Sequence, residues 1–188
     1  MNISSTEITL IGVGPGDPSL ITLAAIEAIS QATVVAYPIP SYYTESLAAQ
    51  IASKWITKDK KRLPLLFPMV DNVSQRKDAW LEASKNLVRE VLNGQKVVFL
   101  CQGDASLFSS SSYLLLEITK KYPECNIKVI PGINSFSAAA ALGKLPLALQ
   151  DEQLLIIPTP SNPEKLEEVI QEAIANSRII VLLKLGRK

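Results

Sequence analysis

The stretch ITLIGVGPGDPSLITLAAIEAIS, residues 8–30, decides how the chain folds. It opens with an apolar run typical of a buried strand, passes through three closely spaced glycines and continues into an apolar helical pattern. The turn differs from a dinucleotide-binding loop, because Pro15 lacks an N–H where a phosphate needs one and Asp17 adds a negative charge. The stretch therefore predicts a strand, a turn and a helix without a phosphate site. Taken alone, the motif is also compatible with an ordinary strand-to-helix turn.

The composition is that of a globular protein without a general attraction for nucleic acid or membranes. The chain has 188 residues, of which 47% are hydrophobic, and its 19 basic and 18 acidic residues give a net charge of +1. No apolar run reaches the roughly 18 residues that a membrane span requires. The amino-terminal residues do not have the pattern of a secretory signal. We therefore expect a cytoplasmic protein that binds neither nucleic acid nor membrane.

The sequence contains no histidine, and this restricts the chemistry more than the charge does. Nucleophilic mechanisms that depend on a histidine base are excluded, and the commonest ligand of catalytic zinc is missing. Cys101 and Cys125 have no Cys-x-x-Cys spacing and are expected to be reduced and unligated. We predict no metal site and a reaction that either needs little proton transfer or uses carboxylates, lysines and the backbone for it.

Strand-like and helix-like segments alternate along the chain. The clearest are a helix from Val73 to Leu92 and the apolar strand from Lys96 to Cys101. This alternation predicts a mostly parallel, doubly wound α/β sheet. The pattern restarts late in the chain and ends in an apolar run from Arg178, which predicts another buried strand. We expect an N-terminal α/β domain over residues 1–149 and, in residues 150–188, the start of an incomplete second α/β domain.

Three glycine-containing loops follow strands of the predicted sheet: GVGPGDP at residues 12–18, CQGDAS at 101–106 and VIPGINSFSA at 129–138. Parallel sheets bind ligands outside the carboxyl ends of their strands, so the loops are expected to converge on one site. Glycine permits close backbone approach, and Asp17 and Asp104 can accept hydrogen bonds from hydroxyls or amines. The loops predict a site for a cationic, hydroxyl-bearing ligand. For Asp104, a turn or helix cap is the alternative.

These loops resemble those of the tetrapyrrole methylases, S-adenosylmethionine-dependent enzymes of the corrin and siroheme pathways. Residues 11–23 are similar to the first signature of the family, and residues 102–109 to its Gly-Asp-Pro loop, with Ala105 in place of the usual proline. Residues 131–158 and the Phe-Pro-Met at 67–69 resemble the branch that methylates carbon 20 of precorrin-2. The resemblance implies two α/β domains with the cofactor in the cleft between them, usually in a homodimer. It also implies C-methylation of a tetrapyrrole, precorrin-2 or its cobalt analogue, in cobalamin biosynthesis.

The resemblance also implies a cofactor site and a substrate site, but it assigns no catalytic residue. The implied S-adenosylmethionine contacts are Pro15, Gln102, Gly103, Asp104, Leu107, Asn134, Ser135 and Leu185. The implied substrate contacts are Gly14, Gly16 and Asp17 of the opening loop, with Lys184 and Arg187 as cations for the carboxylates of the tetrapyrrole. The basic run KDKKR at residues 58–62 is a further candidate, although such runs are usually solvated faces.

Several alternatives to this function stay open. Another corrin-ring methylase of the family would share the motifs, and so would a truncated module that only binds a ligand or dimerises. A nicotinamide-dependent oxidoreductase is disfavoured by Pro15 and by the lack of an acidic residue at the end of the second strand. The siroheme-type reaction is disfavoured because Pro38 follows Tyr37, whereas that branch has an aspartate after its tyrosine.

Overall fold

A parallel α/β sheet carries the loops of interest in the computed structural model, which describes residues 7–185. Its strands are β1 (Glu7–Gly12), β2 (Val34–Ile39), β3 (Lys61–Leu66), β4 (Val97–Cys101) and β5 (Asn126–Ile130). Neighbouring strands run parallel in the order β3-β2-β4-β1-β5. The predicted parallel α/β architecture is confirmed.

Helices cover both faces of this sheet. They are α1 (Leu23–Gln31), α2 (Leu47–Ile51), α3 (Val73–Leu92) and α4 (Ser110–Lys121), with short 3-10 turns at Pro18–Leu20 and Ser53–Trp55. Successive side chains of a strand point to opposite faces. In the central strand β4, Phe99 therefore packs with α3 and α4, whereas Leu100 packs with α1 and α2. The core consists of these two layers.

The chain leaves β1 and β4 towards opposite faces of the sheet, although these two strands are neighbours. The loop after β1 leads to α1 on one face, and the loop after β4 leads to α4 on the other. A parallel sheet opens a crevice at such a point, and ligands bind there. The fold thus places the first two glycine-containing loops at the usual binding position of a doubly wound sheet.

The chain divides into two units, Met1–Ser135 and Phe136–Lys188, and the second contains a smaller sheet. After α5 (Ser135–Gly143) come β6 (Gln153–Pro158), α6 (Pro163–Ala175) and β7 (Arg178–Leu183), with β6 and β7 paired in parallel. The Asn162 side chain caps α6 by accepting a hydrogen bond from the Glu164 N–H at 2.8 Å. The domain boundary expected at residue 149 stays a prediction.

The expectation of a buried last strand is wrong. Every residue of β7 is half-buried, and the strand ends at Leu183. Within the described part of this unit α6 packs against β7, and a two-stranded sheet of this size leaves part of its surface exposed. No helix within residues 7–185 is long and apolar enough to cross a membrane.

Candidate functional site

The loops after β1 and β4 are joined at the carboxyl end of the sheet. Gly14 and Gly103 form an antiparallel bridge, in which the Gly103 N–H donates to the Gly14 carbonyl at 2.7 Å and the Gly14 N–H donates to the Gly103 carbonyl at 3.1 Å. The side-chain amide of Gln102 donates to the carbonyl of Pro15 at 3.3 Å. Four residues that the resemblance assigns to the site are therefore in direct contact.

The loop after β5 reaches the same point, where three backbones touch. A Cβ added to Gly12 would lie 2.6 Å from the carbonyl oxygen of Gly103 and 2.7 Å from the nitrogen of Gly132. A Cβ on Gly132 would meet the same Gly103 oxygen and would lie 2.7 Å from the carbonyl of Gly12. Only glycine fits at Gly12 and Gly132 without displacing a neighbouring loop. Both glycines lie in the loops identified from the sequence, but neither was predicted as a site residue. The sequence shows that a glycine permits close backbone approach, but not which backbone approaches it.

The Asp104 carboxylate links the loop after β4, called the β4 loop, to the loop after β5, called the β5 loop. One oxygen accepts hydrogen bonds from the N–H of Ser106, at 2.8 Å, and from its hydroxyl, while the other accepts from the Gly132 N–H at 2.9 Å. Burial acts to raise the pKa of this carboxyl, but the hydrogen bonds from Ser106, Gly132 and Ala105 outweigh burial and hold the pKa below its usual range. Asp104 is therefore ionised at neutral pH, and its direct contact with a cofactor stays a prediction.

Asp17 has a local role in the opening loop. Its carboxylate accepts a hydrogen bond from the Ser19 N–H at 2.8 Å and so caps the 3-10 turn that starts at Pro18. Hydrogen bonds from Ser19 lower the pKa of this exposed carboxyl. The structure accounts for Asp17 as a cap, and its contact with a substrate stays a prediction.

A buried hydroxyl ties the first turn of α4 to the β4 loop. The Ser111 hydroxyl donates to the Ala105 carbonyl at 2.6 Å and lies 3.3 Å from the sulfur of Cys101. Burial raises the pKa of the Cys101 thiol, so this side chain stays neutral and packs beneath the loops. Ser111 was missed by sequence reasoning, because nothing in the run of serines at 109–112 marks which hydroxyl turns inward.

The remaining predicted contacts fall in different places. Leu107 is half-buried in the β4 loop, while Asn134 is half-buried directly before α5, whose first residue is the exposed Ser135. Lys184 and Leu185 are exposed and follow β7 in the second unit. Arg187 lies outside the described residues. Among residues 7–185, no group of cysteine and carboxylate side chains is arranged to hold a metal ion.

The basic run at 58–62 lies at the amino ends of the strands, because β3 begins at Lys61. The three loops lie at the carboxyl ends of the strands, on the other side of the sheet. The Lys60 ammonium donates to the carbonyls of Ser30 and Ala32, each at 2.8 Å, and so satisfies the end of α1. Lys61 forms an ion pair with Glu90 at 2.7 Å. These cations stabilise the first unit, and we exclude them from the candidate site.

The sequence matches the model of one protein family, the Tetrapyrrole (Corrin/Porphyrin) Methylases, over residues 7–188. The chain belongs to this family. The resemblance carried by the three loops is thereby confirmed. Members of the tetrapyrrole methylase family are methyltransferases that use S-adenosylmethionine as the methyl donor.

Known tetrapyrrole methylases differ in the ring position they act on, and this chain is similar to more than one. It is 30% identical over 162 residues to the cobalt-precorrin-2 C(20)-methyltransferase of Salmonella typhimurium. The aligned residues cover 86% of this chain and 67% of the relative. It is 28% identical over 166 residues to the cobalt-precorrin-4 C(11)-methyltransferase of Methanocaldococcus jannaschii, covering 88% of this chain and 57% of that one.

A solved structure supports the fold. A cobalamin-synthesis-related protein (CobF) from Corynebacterium diphtheriae matches with a TM-score of 0.71 at 19% identity, over 96% of this chain and 73% of that one. The tetrapyrrole methylase fold of the described residues is thus supported by sequence and by geometry.

The converging loops fit S-adenosylmethionine in two respects. Gly103 has a φ of +73°, and no atom lies within 4 Å of the position of its missing Cβ, so that a ligand can approach the main chain there. Gly16 likewise faces open space. Each of these glycines is followed directly by an aspartate, Asp17 or Asp104, and carboxylates are acceptors that suit a ligand with a positive charge and hydroxyl groups.

Proposed function

We propose that this protein transfers the methyl group of S-adenosylmethionine to carbon 20 of precorrin-2, or of its cobalt analogue, in cobalamin biosynthesis. The observation that carries the proposal is the convergence of three loops at the point where the chain leaves β1 and β4 towards opposite faces. The likeness of residues 131–158 to the C20 branch and the named activity of the Salmonella relative support the choice of ring position.

In this proposal, most of the cofactor contacts come from the first unit. They are Pro15, Gln102, Gly103, Asp104, Leu107, Asn134 and Ser135, with Leu185 from the second unit. When bound, S-adenosylmethionine supplies an electrophilic methyl group on a positively charged sulfur. The chain itself contributes fixed positions, because loops that are bonded to one another keep their geometry when the ligand arrives. Proximity and alignment of this kind can supply a large part of a rate enhancement without a histidine base.

For the substrate, we propose contacts from Gly14, Gly16 and Asp17, and charge neutralisation by Lys184 and Arg187. The net charge of +1 offers no general attraction for a polycarboxylate, so local cations must bind it. We assign no catalytic residue. We further propose that the protein acts in the cytoplasm as a homodimer.

Methylation at another position of the corrin ring is the second candidate. It is favoured by the likeness to a C(11)-methyltransferase, whose identity to this chain is close to that of the C(20) relative. The siroheme-type reaction remains disfavoured, because Pro38 occupies the position after Tyr37.

Mass spectrometry and calorimetry with the purified chain test these candidates. S-adenosylmethionine is offered with precorrin-2, cobalt-precorrin-2 or cobalt-precorrin-4, and the position of any added methyl group is assigned by NMR. We expect one methyl group on carbon 20 of a precorrin-2 substrate. A methyl group at carbon 11 of cobalt-precorrin-4 would support the second candidate. Cofactor binding without transfer would favour a binding module, and absence of cofactor binding would overturn both methylation proposals.

A further inference from the structure

Three side chains on α3 and α4 form a cluster outside the loops that hold the proposed cofactor contacts. Arg76 and Trp80 are four residues apart on α3 and therefore share one face of the helix. The rings of Trp80 and Tyr113 stack with centroids 3.8 Å apart and planes 8° apart. We call Arg76, Trp80 and Tyr113 the Arg76 cluster.

The Arg76 cluster lies at the same edge of the sheet as the three loops. Helices α3 and α4 pack on one face and each begins after the carboxyl end of a parallel strand, so their first turns lie at that edge. Arg76 is in the first turn of α3, and Tyr113 is in the first turn of α4. Two residues before Tyr113, the Ser111 hydroxyl is bonded to the carbonyl of Ala105 in the β4 loop. The cluster is thus connected to the candidate site through α4.

Arg76 has a donor that the protein does not satisfy. Its Nε is buried and has no hydrogen-bond partner within residues 7–185, and Arg76 forms no ion pair with any carboxylate in that part of the chain. Glu117, one turn beyond Tyr113, has a buried oxygen, Oε2, that also lacks a hydrogen-bond partner within these residues, and this oxygen lies 3.6 Å from the ammonium of Lys121. A buried donor without a partner is costly and needs an explanation. Arg76 as a whole is only half-buried, and a guanidinium matches a carboxylate with two parallel hydrogen bonds, so an anionic ligand group is a suitable partner for this side chain.

The aromatic pair adds a surface suited to a ring compound. Tyr113 stacks on Trp80 and is still 41% exposed, so part of the pair is open to solvent. Aromatic side chains bury large apolar areas and pack favourably against other ring systems. A cation with an unmet donor beside an open aromatic surface suits a cyclic molecule that carries carboxylates on its periphery.

We propose that Arg76 binds a peripheral carboxylate of the tetrapyrrole substrate, while the Trp80–Tyr113 pair packs against the adjoining part of the ring. This inference rests on the proposed function and assigns a substrate-binding subsite to the first two turns of α3 and the first turn of α4. It adds Arg76, a cation of the first unit, to Lys184 and Arg187, the two cations already proposed to bind the substrate.

Tryptophan fluorescence provides the test. The chain contains two tryptophans, so a Trp55→Phe background leaves Trp80 as the single reporter. Uroporphyrin, a cyclic tetrapyrrole polycarboxylate, is the probe, and its dissociation constant is measured by quenching. We expect Arg76→Gln to weaken binding by about tenfold or more. Arg76→Lys keeps the charge but not the planar fork and is expected to show a smaller loss.

Lys77→Gln is the matched control, because it removes the neighbouring cation on the exposed side of α3. Its affinity for uroporphyrin should be close to that of the unaltered protein. Equal affinities of Arg76→Gln and Lys77→Gln would overturn the inference. If Arg76→Gln fails to fold by circular dichroism, Arg76→Lys decides, and an unchanged affinity in that variant overturns the inference as well.

The inference and the proposed function can fail separately. Methyl transfer by Arg76→Gln with an unchanged KM for precorrin-2 would remove the subsite and leave the proposed function intact. Absence of S-adenosylmethionine binding to the unaltered chain, measured by calorimetry, would instead remove the proposed function. Tight binding of uroporphyrin that depends on Arg76 would then still support a carboxylate-binding site.

Discussion

Strands β4 and β7 are both continuous apolar runs, yet they differ in burial. Every residue of β4 is buried, whereas every residue of β7 is half-buried. β4 has a neighbouring strand on each side and helices on both faces, whereas β7 pairs with β6 and packs with α6 in its own unit. An apolar run therefore indicates a strand, but the number of layers around it decides how deeply it is buried.

A pair of leucine substitutions tests this difference most directly. Leu100→Ala in β4 removes a fully buried side chain and should lower the free energy of unfolding by about 2–5 kcal/mol. Leu182→Ala in β7 removes a half-buried side chain and should cost less than half as much. Urea denaturation followed by circular dichroism measures both. Equal losses would mean that the faces of β7 are covered as fully as those of β4.

A glycine in each unit extends the comparison from strands to backbone contacts. Gly132→Ala places a Cβ against the backbones of Gly12 and Gly103, and should destabilise the first unit by about 3 kcal/mol. Gly143→Ala is the control, because a Cβ there meets only the Leu145 side chain, at 3.6 Å, and alanine favours the helix. Thermal unfolding compares the two variants. A stable Gly132→Ala protein would show that the three loops can separate at little cost.

The Asp104→Asn substitution tests whether the carboxylate that links the β4 and β5 loops is needed for cofactor binding. The substituted amide provides one oxygen acceptor where the carboxylate has two, so the bonds to Ser106 and Gly132 cannot both be kept. We expect the affinity for S-adenosylmethionine to fall by about tenfold, or about 1.4 kcal/mol, in calorimetry. Asp78→Asn, on the exposed side of α3, should leave the affinity unchanged. Unchanged affinity in Asp104→Asn would mean that the glycine contacts alone position the loops.

The smallest expected effect is on the pH dependence of stability. The pKa of Asp104 is lower in the folded protein than the value of about 3.9 for a free aspartate. Its stabilising contribution is therefore fully present above that value and is lost as the pH falls through the folded pKa. Between about pH 5 and pH 3, the unaltered protein should lose more stability than Asp104→Asn. Parallel losses would show that Asp104 contributes nothing to acid sensitivity.

The elements and the position of the site could be predicted because they depend on local patterns. Helix α3 has the predicted bounds, Val73–Leu92, since its apolar stripe and its stop at Asn93 and Gly94 are close together in the sequence. The loops could be assigned to one edge, because strands joined by helical crossovers run parallel.

The hydrogen-bond partners of individual side chains could not be predicted, because they depend on which loops lie next to one another in the folded protein. Asp17 and Asp104 each follow a glycine after a strand, yet Asp17 caps its own turn and Asp104 bonds to Gly132, 28 positions away. The missing hydrogen-bond partner of Arg76 Nε could not be predicted from the sequence for the same reason. Its environment is created by the packing of α3 in the folded unit.

The contact among Gly12, Gly103 and Gly132 also limits how such a protein can diversify. Since the three backbones touch, an insertion directly beside one of these glycines would displace the other two. Loop length at this point is then not available as a source of new ligand preference. Variation must come from side chains carried by the surrounding helices, whose replacement leaves the crossing point in place. A newly duplicated copy could acquire another ligand preference by exchanging residues on α3 and α4 while it keeps the three glycines.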